Sequence, residues 1–239
     1  MNKERKLPWF ELRDLPYCMV LPLLAVIALV VPQHLWQRLC KRLVGLFILG
    51  TPAIRRGLLA RIKEALGPSQ IGIRPEVICA GYVVNKLLVQ LEYYRALSPW
   101  GWSCETKLFG REHVDKALRA GKGVILWVTP ANSSDLVVKR CLAESGLSFS
   151  QLSVRTHGYS ESRFGFVALN GPNRYVENKY LAHRIVLDRA RPIRAIRELQ
   201  RRISRNEIVS ITAIENTGGD SFEVRCFNCL LPIGVGPVW

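Results

Sequence analysis

A long stretch without charged residues lies near the N-terminus and limits what this chain can fold into. From Leu15 to Gln37 the sequence contains no Asp, Glu, Lys or Arg, and its centre is almost purely apolar. These 23 residues, at about 1.5 Å of helix rise each, are long enough to cross a hydrocarbon core of about 30 Å. Arg38, Lys41 and Arg42 follow directly beside Trp36, as expected where a helix meets a membrane interface.

Two other interpretations of this stretch compete with a membrane helix. A cleaved signal peptide is one, but Pro32-Gln33-His34 offers no small-residue cleavage site. A buried core helix is the other, because the purely apolar part is only about 16 residues long. Pro16, Pro22 and Pro32 favour a kinked or shortened helix. We expect a transmembrane or monotopic helix within an N-terminal membrane anchor, residues 1–37.

The charge balance limits the classes of partner. Lys and Arg number 34 against 19 Asp and Glu, which leaves a formal net charge of +15. Such a charge attracts nucleic acid, anionic lipid or an acidic protein, but the sequence contains no recognisable nucleic-acid-binding module, so we expect no nucleic-acid partner. The 7 cysteines, an odd number without regular spacing, indicate reduced thiols in a cytosolic compartment.

The rest of the chain divides into a helical part and an α/β part. Residues 38–99 contain basic amphipathic helices, one starting at Pro52 and one running from Pro75 to Leu97. From residue 100 onward, helical patterns alternate with apolar runs typical of buried strands, which predicts a mostly parallel sheet flanked by helices over residues 100–239. The predicted strands are 123–128, 149–154, 207–214 and 222–227, and the predicted helices include 112–120 and 192–205.

A short polar loop, residues 129–135, leads from the first predicted strand into a helix. Such a loop lies at the carboxyl edge of the sheet, where α/β proteins bind ligands. Ser133, Ser134 and Asp135 also suit a helix N-terminus, whose free N–H groups receive anions or capping side chains. Capping alone would explain these three residues.

One segment resembles a known family. Residues 110–126 read GREHVDKALRAGKGVIL, and this resembles the segment that precedes the active-site motif of the bacterial lipid A biosynthesis acyltransferases, within the lysophospholipid acyltransferase superfamily. The resemblance extends through Arg155 and over residues 186–211, and the uncharged N-terminal stretch fits it too. It implies an α/β fold and the transfer of a fatty acyl group.

The resemblance also implies a catalytic motif. Members of the family carry His-x4-Asp/Glu just after this strand, the His acting as general base on the acceptor hydroxyl and the carboxylate orienting the His. In this chain the carboxylate falls at Asp135 and the His position is occupied by Pro130. Because proline cannot accept a proton, the family mechanism cannot operate unchanged.

A second loop, residues 157–165, follows the strand that ends at Val154 and opens on the same sheet edge. It contains His157, Glu161, Arg163 and two glycines. A neutral His157 imidazole could replace the missing base, with Asp135 or Glu161 as the orienting carboxylate. The alternative is a solvent-exposed loop whose histidine has no role.

Arginines are concentrated late in the chain. Between Arg184 and Arg205 there are eight Arg and no Lys, and with Asp188 and Glu198 the segment carries +6. Apolar residues predict the buried side of the helix at Ile193, Ile196, Leu199 and Ile203, and the opposite side carries Arg194, Arg197 and Arg201. Arginine suits phosphate and carboxylate groups, so an acidic acyl carrier protein, coenzyme A or a lipid headgroup could bind here, although solvated surface is the simpler interpretation.

We therefore expect a membrane-bound acyltransferase at the cytoplasmic face of a bacterial inner membrane. Its donor would be an acyl carrier protein or coenzyme A thioester, and its acceptor a hydroxyl or amine of a lipid or glycolipid. Asp135 and His157 are the expected catalytic pair. The residues expected to bind substrate are Arg155, Arg163, Arg189, Asn132 and Ser133.

Some features leave a second interpretation open. Pro130 favours a non-catalytic binding or scaffold protein that kept the acyltransferase fold. The pair Cys226 and Cys229 has no second pair at suitable spacing, so we expect no metal site, and we expect no cofactor. Relatives continue with further sheet and helix past the position of Trp239, so we expect a truncated or unusually short chain.

Overall fold

The computed structural model describes two compact units. The described residues are 8–50, 52–67, 72, 74–128, 135–154, 158–160, 162–187, 192–212, 221–226 and 229–234. The first unit combines Met1–Val26 with Tyr93–Thr212, and the second combines Ile27–Glu92 with Ala213–Trp239. The predicted division at residues 37 and 99 stays a prediction.

The first unit is built on a four-stranded parallel sheet. Its strands are β1 (Val124–Val128), β2 (Phe149–Val154), β3 (His183–Leu187) and β4 (Ile208–Thr212). They lie side by side in the order β1-β4-β2-β3. All three pairings are parallel, so β1, β2 and β3 end at the same edge of the sheet. The prediction of an α/β fold with a mostly parallel sheet is confirmed.

Helices pack on both faces of this sheet, because its strands carry apolar side chains on both sides, although Ile125 and Trp127 of β1 stay exposed. Helices α5 (Arg111–Arg119) and α6 (Asp135–Glu144) pack on one face, where Leu142, Phe149 and Ile208 are buried together. Helix α8 (Pro192–Ser204) packs on the other face, where Ala195 meets Val209. Each fully buried Leu, Ile or Phe contributes about 1.5–3 kcal/mol to folding.

Two further helical segments complete the first unit. A short π-helix, Gly165–Leu169, leads into α7 (Gly171–Asn178), which precedes β3. The sequence patterns predicted neither α7 nor β3. Helix α7 starts at Gly171-Pro172, whose proline suits the first turn of a helix.

Helix α1 (Asp14–Val30) begins in the first unit and ends in the second. A transmembrane or monotopic helix was predicted within residues 15–37. The helix in this region, α1, stops before Pro32 and is followed by a 3-10 turn, Gln33–Leu35. Within the described part of the chain, no helix combines the length and the apolar character needed to cross a membrane.

The second unit contains three helices and a hairpin. The helices are α2 (Trp36–Gly50), α3 (Pro52–Leu66) and most of α4 (Pro75–Leu97), and the hairpin consists of β5 (Ser221–Cys226) and β6 (Cys229–Gly234). The hairpin strands are antiparallel, and Cys226 pairs with Cys229 in their register. The Trp36 indole N–H donates to the Val31 carbonyl at 2.9 Å and so ties the start of α2 to the end of α1.

The buried side of α8 differs from the prediction. Ala195, Leu199 and Ile203 face the sheet, whereas Ile193 and Ile196 are exposed. A small residue at position 195 lets the helix approach Ile185 and Val209 closely, and this contact rotates the two isoleucines towards solvent. The prediction that Arg194, Arg197 and Arg201 lie on the outer side is confirmed.

The turn before β1 requires a glycine at position 123. Gly123 has φ +71°, and a Cβ atom there would lie 2.5 Å from the Ile203 carbonyl oxygen at the end of α8. Gly121 has the same φ but open space around it. Gly121→Ala should therefore lower the free energy of unfolding by about 1–2 kcal/mol, the cost of a left-handed backbone conformation in alanine. Gly123→Ala should lower it by at least about 1–3 kcal/mol more, because its Cβ atom is also overpacked. Urea unfolding followed by circular dichroism measures both, and equal losses would show that α8 can move away.

Candidate functional site

A cluster of four charged side chains and one tyrosine lies inside the first unit, beneath α6. We call it the Glu177 cluster, and its members are Tyr93, Asp135, Lys139, Glu177 and Arg184. The side chains of Lys139 and Glu177 are each only 2% exposed. The Lys139 ammonium lies 3.5 Å from Glu177 Oε2 and also pairs with the Asp135 carboxylate one helical turn earlier. Lys139 therefore links a carboxylate at the start of α6 to a carboxylate in the interior.

The Glu177 carboxylate has a partner on each oxygen. Arg184 Nη2 donates to Oε2 at 2.6 Å, and the Tyr93 hydroxyl donates to Oε1 at 2.7 Å. Arg184 also donates to Asn178 Oδ1 at 2.8 Å and to Ser153 Oγ at 3.0 Å. The charges of the two cations, Lys139 and Arg184, balance those of the two carboxylates. Buried ions are tolerated only when they are paired and hydrogen-bonded in this way.

The environment favours the ionised form of Glu177. Burial raises the pKa of this carboxyl, but Lys139, Arg184 and the Tyr93 hydroxyl outweigh burial and hold the pKa below its ordinary value of 4.5. Burial, together with the Glu177 and Asp135 carboxylates, raises the pKa of Tyr93 well above 10.0. Because the pKa of Glu177 is lower in the folded chain, its contribution to stability is complete above about pH 4.5 and is lost as the pH falls through the folded value.

Asp135 is the described member of the predicted catalytic pair. It is the first residue of α6, at the carboxyl edge of the sheet, and 34% of its side chain is exposed. The ammonium of Lys139 donates to one oxygen of this carboxylate. An imidazole that donates to Asp135 would complete a base–carboxylate pair.

A second polar cluster joins the N-terminal segment to the loop after β2. The Asp14 carboxylate is buried at the start of α1, and Ser162 Oγ donates to Asp14 Oδ2 at 2.6 Å. Ser160 Oγ in turn donates to Ser162 Oγ at 3.1 Å. We call these three residues, Asp14, Ser160 and Ser162, the Asp14 cluster. It holds part of the predicted 157–165 loop against the first turn of α1.

Most of the predicted site residues lie outside the described part of the chain. These are Pro130, Asn132, Ser133, Arg155, His157, Glu161 and Arg189. The described members are Asp135, which pairs with Lys139, and Arg163, whose side chain is exposed while its backbone N–H donates to the Pro8 carbonyl at 2.9 Å. The pairing of Asp135 with His157 stays a prediction.

The predicted arginine face is smaller than the sequence suggested. Arg184 points into the first unit and belongs to the Glu177 cluster. Arg201 and Arg202 both pair with Glu198, and Arg202 also pairs with Glu207. The outward charge of α8 is therefore concentrated at Arg194 and Arg197, beside the exposed Ile193 and Ile196.

Sequence reasoning missed the partners of both clusters. Only Lys139 had a local signal, since it lies four residues after Asp135 in the same helix, and oppositely charged residues at this spacing share a helix face. Tyr93 and Glu177 are 84 positions apart, and Asp14 and Ser162 are 148 apart. No spacing rule connects residues at such distances.

The resemblance to the lipid A acyltransferases rests on the residues of this chain alone. No family model matches the sequence, and no curated protein matches it.

Removing the cation between the two carboxylates tests the Glu177 cluster. Lys139→Met keeps most of the side-chain volume but leaves Glu177 with one buried cation fewer, which should cost about 3–5 kcal/mol of unfolding free energy. Arg201→Met breaks the exposed pair with Glu198 and should cost far less, because surface ion pairs are screened by water. Denaturant unfolding of both variants gives the comparison. Similar small losses would mean that the cluster is not a major source of stability.

Proposed function

We propose that this protein is an acyltransferase-type protein that works on the surface of a membrane. It would transfer a fatty acyl group from an acyl carrier protein or coenzyme A thioester to a hydroxyl or amine of a lipid or glycolipid, at the cytoplasmic face of a bacterial inner membrane. The observation that carries the proposal is the apolar, solvent-exposed side of α1. The resemblance of residues 110–126 and the parallel sheet support the acyl-transfer part.

One side of α1 exposes an unbroken row of large apolar side chains. Leu15, Met19, Leu23, Val26 and Val30 recur at helical spacing, and Met19 and Leu23 are 78% and 57% exposed. The opposite side is buried at Asp14, Leu21, Leu24 and Ala28. A continuous exposed row of this kind is rare on a protein surface unless it contacts a partner or a membrane.

A helix lying in the membrane interface accounts for this arrangement better than a crossing helix. With 17 residues, α1 is about 26 Å long, shorter than a hydrocarbon core of about 30 Å. Transfer of each exposed apolar side chain into lipid is favourable by about 1–2 kcal/mol. The net charge of +15 adds attraction to anionic headgroups. We therefore propose the monotopic form of the predicted N-terminal helix.

The acyl-transfer chemistry requires a base near Asp135. Since Pro130 occupies the motif position of the histidine, we propose that His157 supplies the imidazole. It comes three positions after the end of β2 in the sequence, and β2 ends at the sheet edge from which Asp135 begins α6. The imidazole would remove the proton of the acceptor hydroxyl as that oxygen attacks the thioester carbonyl, and a thiol would leave. Arg155, Arg163 and Arg189 would contact anionic groups of the substrates.

The outer side of α8 is the proposed contact for the acyl donor. Arg194 and Arg197 attract an acidic carrier protein or the phosphates of coenzyme A, and Ile193 and Ile196 add apolar contact beside them. Charge of this kind increases the rate of association more than the final affinity, and it is screened by salt.

A non-catalytic acyltransferase-fold protein is the second candidate. Pro130 favours it because proline supplies no base, and the pairing of Asp135 with Lys139 favours it because part of the carboxylate is already engaged. Such a protein would bind acyl carrier protein or lipid at the membrane without turnover. The same surfaces, α1 and α8, would serve both candidates.

Acidic substitutions on the exposed side of α1 test the membrane contact. Met19→Glu combined with Leu23→Glu should reduce binding to anionic phospholipid vesicles at least tenfold, because carboxylates are costly to transfer into the interface. Ala120→Glu combined with Ser204→Glu changes the net charge equally at exposed positions away from α1 and should have little effect. Vesicle sedimentation measures both. Equal losses from the two pairs, or a wild type that stays in the supernatant, would overturn the membrane proposal.

The transfer of labelled acyl groups to membrane lipid separates the two candidates. His157→Ala should lower the rate by about 10²–10⁴-fold, as expected for loss of a general base. His113→Ala removes an exposed imidazole from α5 and should leave the rate unchanged. A wild type inactive with every acyl thioester offered, together with activity in Pro130→His, would establish the non-catalytic candidate instead.

A further inference from the structure

We propose that Asp14 is a positioning residue that makes α1 and the loop after β2 a single rigid element, so that contact of α1 with a bilayer is transmitted to the loop that carries Arg163. The loop is defined here as residues 158–160 and 162–165. The part of this inference that concerns the bilayer rests on the proposed membrane contact of α1. The attachment itself is independent of it.

Asp14 is built into the first unit rather than exposed at a helix end. It is 1% exposed, and its Oδ2 atom accepts from Ser162 Oγ at 2.6 Å and from the Glu11 backbone N–H at 3.0 Å. Ser162 is itself 0% exposed. A short hydrogen bond to a carboxylate in a dry environment is about twice as strong as a neutral one, so this contact holds α1 more firmly than its apolar side chains alone.

The loop is shaped around the hydroxyl that donates to Asp14. The Gly165 backbone N–H donates to Ser162 Oγ at 2.8 Å, and the Ser162 backbone N–H donates to Ser160 Oγ at 3.1 Å. A Cβ atom at Gly165 would lie 2.1 Å from Ser160 Oγ, so only glycine fits there. The loop conformation and the Asp14 contact therefore depend on the same hydroxyl groups.

Backbone and aromatic contacts run alongside the carboxylate. The backbone N–H groups of Arg163 and Phe164 donate to the Pro8 and Trp9 carbonyls, both at 2.9 Å. The Phe10 and Phe164 rings lie 5.5 Å apart, and the Tyr17 and Tyr159 rings lie 5.1 Å apart. These contacts involve residues on both sides of Asp14, from residue 8 to residue 17. They fix the orientation of the start of α1 relative to the loop.

The charged form of Asp14 suits this role. Burial raises the pKa of the carboxyl, but the hydroxyls of Ser160 and Ser162 and the Glu11 amide outweigh burial, so its pKa lies below 3.8. Near neutral pH an acceptor with a full charge thus faces the loop on one side of α1. The other side carries Leu15, Met19 and Leu23, which the proposed function assigns to the bilayer.

Hydrogen–deuterium exchange of the full chain in lipid-free detergent buffer tests the attachment. In Asp14→Ala, exchange of amides in 158–160 and 162–165, and in 11–22, should accelerate together, at least tenfold, while β4 exchanges as in the wild type. Asp14→Asn keeps an acceptor oxygen and should accelerate both segments less. Ser162→Ala should act like Asp14→Ala if the contact is mutual, and Ser210→Ala, which truncates a buried serine in the sheet, should change neither segment.

Two results in detergent would overturn the attachment. One is acceleration confined to 11–22 in Asp14→Ala, because the loop would then be ordered without α1. The other is equal acceleration in β4, because Asp14 would then support the whole unit rather than this loop. If Asp14→Ala fails to fold, Ser162→Ala alone decides by the same comparison.

Vesicles of phosphatidylglycerol and phosphatidylethanolamine test the transmission. They should slow exchange of 158–165 at least threefold in the wild type, and they should leave this segment unchanged in Asp14→Ala bound to the same vesicles. A loop that responds equally in both proteins would overturn the transmission. A wild type that does not bind vesicles removes both the membrane part of the proposed function and the transmission, whereas the exchange coupling in detergent would still stand.

Discussion

The Glu177 carboxylate is almost fully buried between side chains of α4, α6 and β3. Its contacts constrain how these elements pack in the first unit. An ionised carboxylate is costly to bury, so Lys139, Arg184 and Tyr93 must all reach it from their own elements. This requirement fixes how far along the sheet α6 lies. Because Lys139 also pairs with Asp135, the same requirement sets the position of the carboxylate at the sheet edge where the proposed chemistry takes place.

Local sequence patterns were sufficient to predict the elements whose hydrophobic residues follow a clear strand or helix periodicity. Apolar runs predicted β1, β2 and β4, and helical spacing predicted α5 and α8 within a few residues, because the core faces of these elements are apolar. Strand β3 was missed because its first two residues are His183 and Arg184, which leaves only three apolar residues in the strand. Arg184 pairs with Glu177. The local pattern was misleading where a buried charge replaced an apolar side chain.

The candidate site could be predicted only in part, for a similar reason. The position of Asp135 at the start of a helix after β1 was predicted from the sequence, whereas its catalytic role and the replacement of a motif histidine by Pro130 stay predictions. The partners of Asp14 and Glu177 come from distant parts of the chain, and only the three-dimensional fold brings them together. The same holds for α8, where the small side chain of Ala195 decides which residues face the sheet and leaves Ile193 and Ile196 outside.

Both buried carboxylates have consequences for how the chain would meet a membrane. Asp14 attaches the start of α1 to the loop after β2. The part of α1 up to Val26, which is proposed to lie in the bilayer, therefore belongs to the α/β unit. The depth of nitroxide amino acids introduced at positions 15, 19, 23 and 26 in bilayers tests this most directly. The account predicts that all four lie at a similar depth of about 5–10 Å below the headgroups, with a nitroxide at position 120 in water. A depth that increases steadily from 15 to 26, as in a crossing helix, or four positions in water would contradict it.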